Sequence, residues 1–412
     1  MRNRHPELLI PASSLEVLKT AVMFGADAVY IGGEAFGLRA KAKNFSMEDM
    51  KEGVQFAHEH GARVHVTVNI LAHNDDLEGA AEYLKELKEI GPDALIIADP
   101  AIFMLAKEIC PEIERHVSTQ ANNTNYGTFN FWWNLGAKRV VTARELSLKE
   151  IREIRAHIPA EMEIESFIHG AMCISYSGRC LLSNFFTGRD ANQGACTHPC
   201  RWKYSVVEET RPGEYMPVYE NERGTYIFNS KDLCMIEHIP EMIDAGIDSF
   251  KIEGRMKTAL YVATVARTYR KAIDDYLEDP KKYEANMPWY RDQISNCTYR
   301  QFTTGFYFGK PGDESQIYDS NTYIKEYTYL GIIGGIKDGM YRIEQRNKFS
   351  VGVTVEIMKP DAQNVEVTVE KIVDENGQEQ ESAPHPKQVL YVALSGEASV
   401  YDILRRQEGV TE

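Results

Sequence analysis

The chain predicts an α/β fold: a (β/α)8 TIM-like barrel with a cysteine-bearing insertion, followed by a small C-terminal antiparallel β-barrel domain. Two observations carry the prediction. Eight short apolar or β-branched runs in the first 280 residues each lead, directly or through an insertion, to a helical stretch. Beyond about residue 325 the hydrophobic period drops to two. Strands separated by helices pair in parallel, and eight such units close a barrel. A doubly wound open sheet is the competing layout, but no G-x-G-x-x-G follows the first strand.

The strands are expected at Leu8–Pro11, Ala28–Gly33, Arg63–Asn69, Ala94–Asp99, Arg115–Gln120, Arg139–Ala143, Glu163–Gly170 and Ser249–Gly254. Helices are expected between them. The first starts near Ser14 and stops at Gly25, and the second opens on a capping-box pattern at Ser46. Later helices are expected at Asp75–Ile90, Ala101–Cys110, Gly127–Leu135, Ser147–Ile158, Lys231–Ala245 and Thr258–Leu277. The aromatic run Phe129–Leu135 suits core packing on one of them, and His65 and His116 suit strand interiors with satisfied rings.

Three domain-level pieces follow: a barrel over 1–280 with its insertion at about 171–230, a linker or irregular subdomain over 281–325, and a β-barrel domain over 326–412. The last piece alternates apolar and polar residues, with Asp338-Gly339 and Asn376-Gly377 as hairpin turns. It holds no cysteine.

A net charge of -15 argues against a whole-surface electrostatic grip on nucleic acid, while leaving room for a local basic patch. Neither an apolar h-region at the N-terminus nor a run of 18 apolar residues occurs, so a cytoplasmic protein without membrane contact is expected.

Four of the seven cysteines, Cys173, Cys180, Cys196 and Cys200, lie just beyond the seventh strand. In a reducing compartment such a group argues for a metal rather than disulfides. The irregular spacing fits a [4Fe-4S] cluster better than the paired knuckles of structural zinc, although a zinc staple is the competing reading. Cys173, Cys180 and Cys196 are the first three candidate ligands. The fourth is Cys234, expected near a helix start, or Cys200. Cys110 and Cys297 suit buried apolar positions.

In a barrel of this kind the site gathers at the C-terminal strand ends. Glu165, His169 and Glu253 are the candidate proton carriers there, although a carboxylate paired with Arg255 or Lys251 gives the same pattern. Arg39, Arg144, Arg189 and Arg255 are candidate anion-binding residues. Neither H-E-x-x-H nor G-x-S-x-G is present, so recognisable protease parts are missing, save a Cys173–His169 pairing.

The stretch Glu165–Ser183 carries Glu-x-Phe-x2-Gly-Ala-aliphatic-Cys-x4-Gly-x-Cys-x-aliphatic-Ser. Together with Asn229–Cys234, Asp248–Lys257, PELLIPASS and GADAVYIGG, it resembles the U32 peptidase family over nearly the full chain. The resemblance implies the barrel, the β domain and the cluster. Some members of that family are described as collagenases, and others are oxygen-independent hydroxylases with a [4Fe-4S] cluster. This chain is most similar to the prephenate-dependent tRNA uridine hydroxylation proteins. The resemblance therefore implies formation of 5-hydroxyuridine at the wobble position, with tRNA and prephenate as partners. A paralogous subunit or a homo-oligomer is a further candidate partner. Prephenate is a dicarboxylate, so the four arginines become its candidate clamp. Leu38–Asn44 and Arg179, Arg201, Trp202 and Lys203 become candidate tRNA contacts. The alternative is a U32-type, collagenase-like peptidase acting on peptides.

Overall fold

The computed structural model describes residues 5–37, 44–172, 231–296, 301–311 and 327–407, with the short pieces 182–187, 189, 196–197, 205–206, 216–217, 229–230 and 316–317. The chain divides into two compact units. One comprises Met1–Val22, Ala26–Lys257 and Arg300–Thr322; the other comprises Met23–Gly25, Thr258–Tyr299 and Tyr323–Glu412.

The first unit holds the barrel. Its eight parallel strands are Glu7–Pro11, Ala28–Gly32, Arg63–Val68, Ala94–Ile97, Glu114–Val117, Arg139–Val141, Glu163–Gly170 and Ser249–Ile252. The eighth pairs with both the seventh and the first, which closes the sheet. All eight fall where the apolar runs place them. Several of the helices between them open on side-chain caps, Ser46 among them as expected. Ser46 accepts from Asp49 N, Asp99 from Ala101 N, and Ser147 forms a reciprocal capping box with Glu150. Leu9, Ala28, Tyr30 and Ile96 make an apolar cluster. Leu9 and Ile96 each contribute about 1.5–3 kcal/mol when removed from water.

One expected helix is replaced. The Lys231–Ala245 stretch opens with a strand, Asp232–Cys234, antiparallel to the top of the seventh strand. A helix starts only at Ile239, where Pro240 fits the first turn. The eight-residue seventh strand outruns its neighbours and leaves a ladder edge free; Met235 N bonds to Ile168 O at 2.9 Å. A further strand, Phe302–Thr303, lies parallel to Asp232–Leu233.

The second unit contains the 20-residue helix Ala259–Glu278, which lies before the boundary near residue 280 that the pattern suggests. Within this unit Arg267, 2% exposed, donates to Lys359 O, Gln363 O and Asn364 Oδ1. The stretch from 281, expected to be irregular, forms a helix over Pro280–Ser295, capped by Asp279 and containing Pro288. The C-terminal strands Tyr327–Lys337, Met340–Glu344, Thr354–Met358, Asn364–Asp374, Val389–Leu394 and Ile403–Gln407 form a closed antiparallel barrel, because Thr354–Met358 pairs with both Asn364–Asp374 and Ile403–Gln407. Asp338 and Gly339 both have positive φ, as their hairpin turn requires. Among the described residues no helix is long and apolar enough to cross a membrane.

Candidate functional site at the barrel mouth

The two ends of the barrel are chemically different. Glu7, Arg63, Glu114, Arg139, Glu163 and Ser249 are each the first residue of their strand, so they line the N-terminal end. Arg139 is the hub: it donates to both oxygens of Glu7, to Glu163 and to Glu165 Oε2 at 3.2 Å. Lys251 Nζ meets Glu165 Oε1 at 2.6 Å and lies 4.3 Å from the Tyr30 ring centre. Burial alone would raise the Glu7 carboxyl, but the charge and hydrogen bonds of Arg139, with the Ser249 hydroxyl, outweigh it and hold the group well below the usual carboxylate range.

Glu165 therefore sits with Arg139 and Lys251, fully buried, and is not brought to the other candidates. The alternative in which a carboxylate pairs with Lys251 describes it. His116 Nε2–H donates to Glu114 Oε2, 3.1 Å away. His65, expected to be a satisfied interior residue, is fully buried, and neither ring nitrogen has a hydrogen-bond partner among the described residues.

At the C-terminal mouth Arg144 and Glu253 meet, Nη2 to Oε2, at 2.9 Å. The Arg144 guanidinium also lies 3.9 Å from the Phe167 ring centre, a cation–π contact from the strand between them. Glu253 Oε1 accepts from Gly254 N at 3.1 Å. Arg255 Nη1 donates to Thr67 Oγ1 at 2.8 Å, and Asn69 donates to Ser118 Oγ at 3.3 Å. Gly32 makes room for this arginine, since a Cβ there would come within 2.4 Å of Arg255 Nη1.

His169 is buried at the top of the seventh strand, and its carbonyl accepts from Glu253 N at 2.8 Å. Burial, reinforced by Lys257, lowers its ring to about 3, so it is neutral at pH 7. Its strand partner is Cys234, which is partly exposed. Gly170 follows with φ +107, and a Cβ there would stand 2.3 Å from Glu253 O. The close approach of these two strand ends needs a glycine. Tyr307, whose hydroxyl burial pushes up, donates to Phe167 O. No sequence signal singled out Tyr307 or Thr67.

The structure thus groups His169, Glu253, Arg144 and Arg255 at the mouth with Cys234. Cys196 and Arg189 are exposed. Arg39, Cys173, Cys180, Cys200, Cys297, Leu38–Lys43, Arg179, Arg201, Trp202 and Lys203 lie outside the described residues. Cys110 is buried as expected: its Sγ donates to Ala106 O, and burial raises the thiol to about 11. The rationale for Cys234 as a thiol at a helix start does not hold, because it sits in a strand. Its partial exposure at the mouth still fits a metal ligand better than the buried Cys110 does.

These features define a protein of the (β/α)8 class with arginine, carboxylate and thiol groups at the end where such barrels place their sites. The chain belongs to peptidase family U32: the family model matches residues 13–317, and that of the U32 C-terminal domain matches 325–405. It is 43% identical to tRNA hydroxylation protein P1 of Bacillus subtilis (strain 168), covering 98% of this chain and 95% of that protein. It is 39% identical to tRNA hydroxylation protein P of Escherichia coli (strain K12), over 92% of this chain and 91% of that one. A shorter match, 41% identical, joins 66% of this chain to 40% of the 23S rRNA 5-hydroxycytidine C2501 synthase of Escherichia coli (strain K12).

Proposed function

We propose that this chain is a tRNA-hydroxylating enzyme that converts wobble uridine to 5-hydroxyuridine without molecular oxygen, in a prephenate-dependent reaction. The observation that carries the reading is the register of Cys234 opposite His169, which sets a thiol at the barrel mouth next to the strand end bearing Glu253. The similarity to tRNA hydroxylation proteins over nearly the whole chain supports the substrate class.

In this reading Cys173, Cys180, Cys196 and Cys234 hold a [4Fe-4S] cluster, with Cys200 as the alternative fourth ligand. Such a cluster supplies electron transfer that no side chain offers. The chain's own groups do the rest. Arg144 and Arg255 are the mouth arginines suited to the carboxylates of prephenate, and Arg39 and Arg189 are the further candidates. Glu253, held by Arg144, is placed to take or return a proton at its carboxylate. His169, neutral at pH 7, positions the strand end rather than carrying charge. The protein works in the cytoplasm, where its tRNA substrate is.

The test is mass spectrometry of tRNA nucleosides from cells lacking this chain and any redundant enzyme. Loss of 5-hydroxyuridine and its derivatives is the expected result. Unchanged levels remove the substrate assignment. Peptide cleavage that depends on one cysteine and survives iron removal would establish the peptidase alternative instead.

A further inference from the structure

We propose that His65, His116 and Glu165 form a second metal site, for a divalent ion of the zinc class, inside the N-terminal half of the barrel and separate from the thiols. One ligand atom from each lies within 4.8 Å of the other two, and all three residues are buried. They stand at the third positions of the third, fifth and seventh strands, so the barrel itself brings them together.

The independent observation is His65. A fully buried imidazole with neither nitrogen hydrogen-bonded among the described residues is an unmet demand for a partner. His116 is prepared in a complementary way. Its Nε2 faces Glu114 Oε2 at 3.1 Å, so the Nε2–H donates there and leaves the lone pair on Nδ1, an atom with no partner among the described residues. A carboxylate that fixes the tautomer of a ligating histidine from behind is a recurring device of metal sites. Burial keeps both rings neutral, the form that binds metal. Two histidines and a carboxylate are a donor set suited to zinc and to its neighbours in the first transition row.

The surrounding charges permit a cation. Five carboxylates, Glu7, Asp93, Glu114, Glu163 and Glu165, meet four cations, Arg63, Lys138, Arg139 and Lys251, in this network. Glu165 keeps lone pairs beyond those that Arg139 and Lys251 use. Metal bonds of about 2.1 Å set tetrahedral ligand atoms roughly 3.4 Å apart, so binding draws the three side chains together by about an ångström. The rings meet edge to face at 4.8 Å between centres, and that contact allows the approach. Being enclosed, the ion enters as the chain folds and ties three strands at the end opposite the mouth.

The full chain is expressed in medium supplied with cobalt(II) and purified without oxygen. The expected product carries about one cobalt per chain with visible d–d bands but no sulfur-to-cobalt charge transfer. That cobalt disappears in His65→Phe and in Glu165→Gln, and remains in Cys234→Ser. X-ray absorption at the cobalt edge of the unsubstituted chain reads the ligands even if the variants misfold: two imidazoles and oxygen are expected. A sulfur shell alone, loss of the cobalt in Cys234→Ser, its persistence in both His65→Phe and Glu165→Gln, or no cobalt at all overturns the site.

Discussion

Arg144 and Glu253 meet at 2.9 Å across the top of the seventh strand, with Phe167 packed beneath the guanidinium. Both are largely buried, at 7% and 14% side-chain exposure. The pair therefore links the ends of the sixth and eighth strands and holds two charged groups at the mouth, where neither is dispersed by water.

Removing one partner takes the ion pair away from a largely buried charge. Arg144→Ala is expected to lower stability by about 3 kcal/mol, within the usual range for a broken buried pair. The double variant with Glu253→Ala loses less than the sum of the two single losses. Urea unfolding of the four proteins measures the coupling. Strict additivity would show that the two side chains do not act on one another.

Glu165 faces the other end, between Arg139 and Lys251. Glu165→Gln is expected to cost about 2–4 kcal/mol of stability. At a temperature where both proteins are folded, it leaves the tRNA hydroxylation rate within about threefold of the parent. Glu253→Gln is expected to do the reverse, with a rate loss of 10²-fold or more, the usual scale for a positioned acid–base group. Rates on purified tRNA distinguish the two, and equal losses would contradict the division between the ends.

The Glu7 carboxyl titrates well below its ordinary value because of Arg139. A depressed carboxylate adds stability that is complete above the unfolded pKa, near 4.3, and is lost as pH falls below it. Glu7→Gln should therefore be less stable than the parent by about 3 kcal/mol at pH 7. The gap narrows steadily below about pH 4.5. Unfolding midpoints over pH 3–8 test this, and a gap independent of pH would contradict it.

Gly170 adopts φ +107, with the Glu253 carbonyl where a Cβ would go. Gly170→Ala should cost about 2–3 kcal/mol through backbone strain alone. It should also part the strand ends that carry Cys234 and Glu253, so the variant loses iron as well as stability. Gly61→Ala is the comparison, since it shares a positive φ but has open space around it. Iron retained at the parental level in Gly170→Ala would separate the strand contact from metal binding.

The eight barrel strands were legible because each is a run of apolar residues bounded by turns, and helices separate them. Partner identities were not. Glu165 bonds to Lys251, 86 positions away, a pairing open only as one alternative, and to Arg139, 26 away, which nothing local marks. The Asp232–Cys234 strand is three residues long, too short to show a period. It exists because the seventh strand offers it an edge. The Ile403–Gln407 strand is hard to read for another reason: Arg405 stands at a fully buried position, neutralised by Glu356, and breaks the apolar alternation. Pro288 and the surrounding aromatics disguised the Pro280–Ser295 helix. At the mouth, residue type and strand end were enough to find Arg144, Arg255, His169 and Glu253. Tyr307 comes from a distant segment and needed the fold.

The most direct test is complementation. Cells lacking this chain and any redundant enzyme receive the parent, Cys234→Ser or Cys110→Ala, and wobble 5-hydroxyuridine is measured by mass spectrometry of their tRNA. Restoration by the parent and by Cys110→Ala, with none from an equally abundant Cys234→Ser, is the predicted result. Full restoration by Cys234→Ser would contradict the assignment of that thiol to the working centre of the barrel.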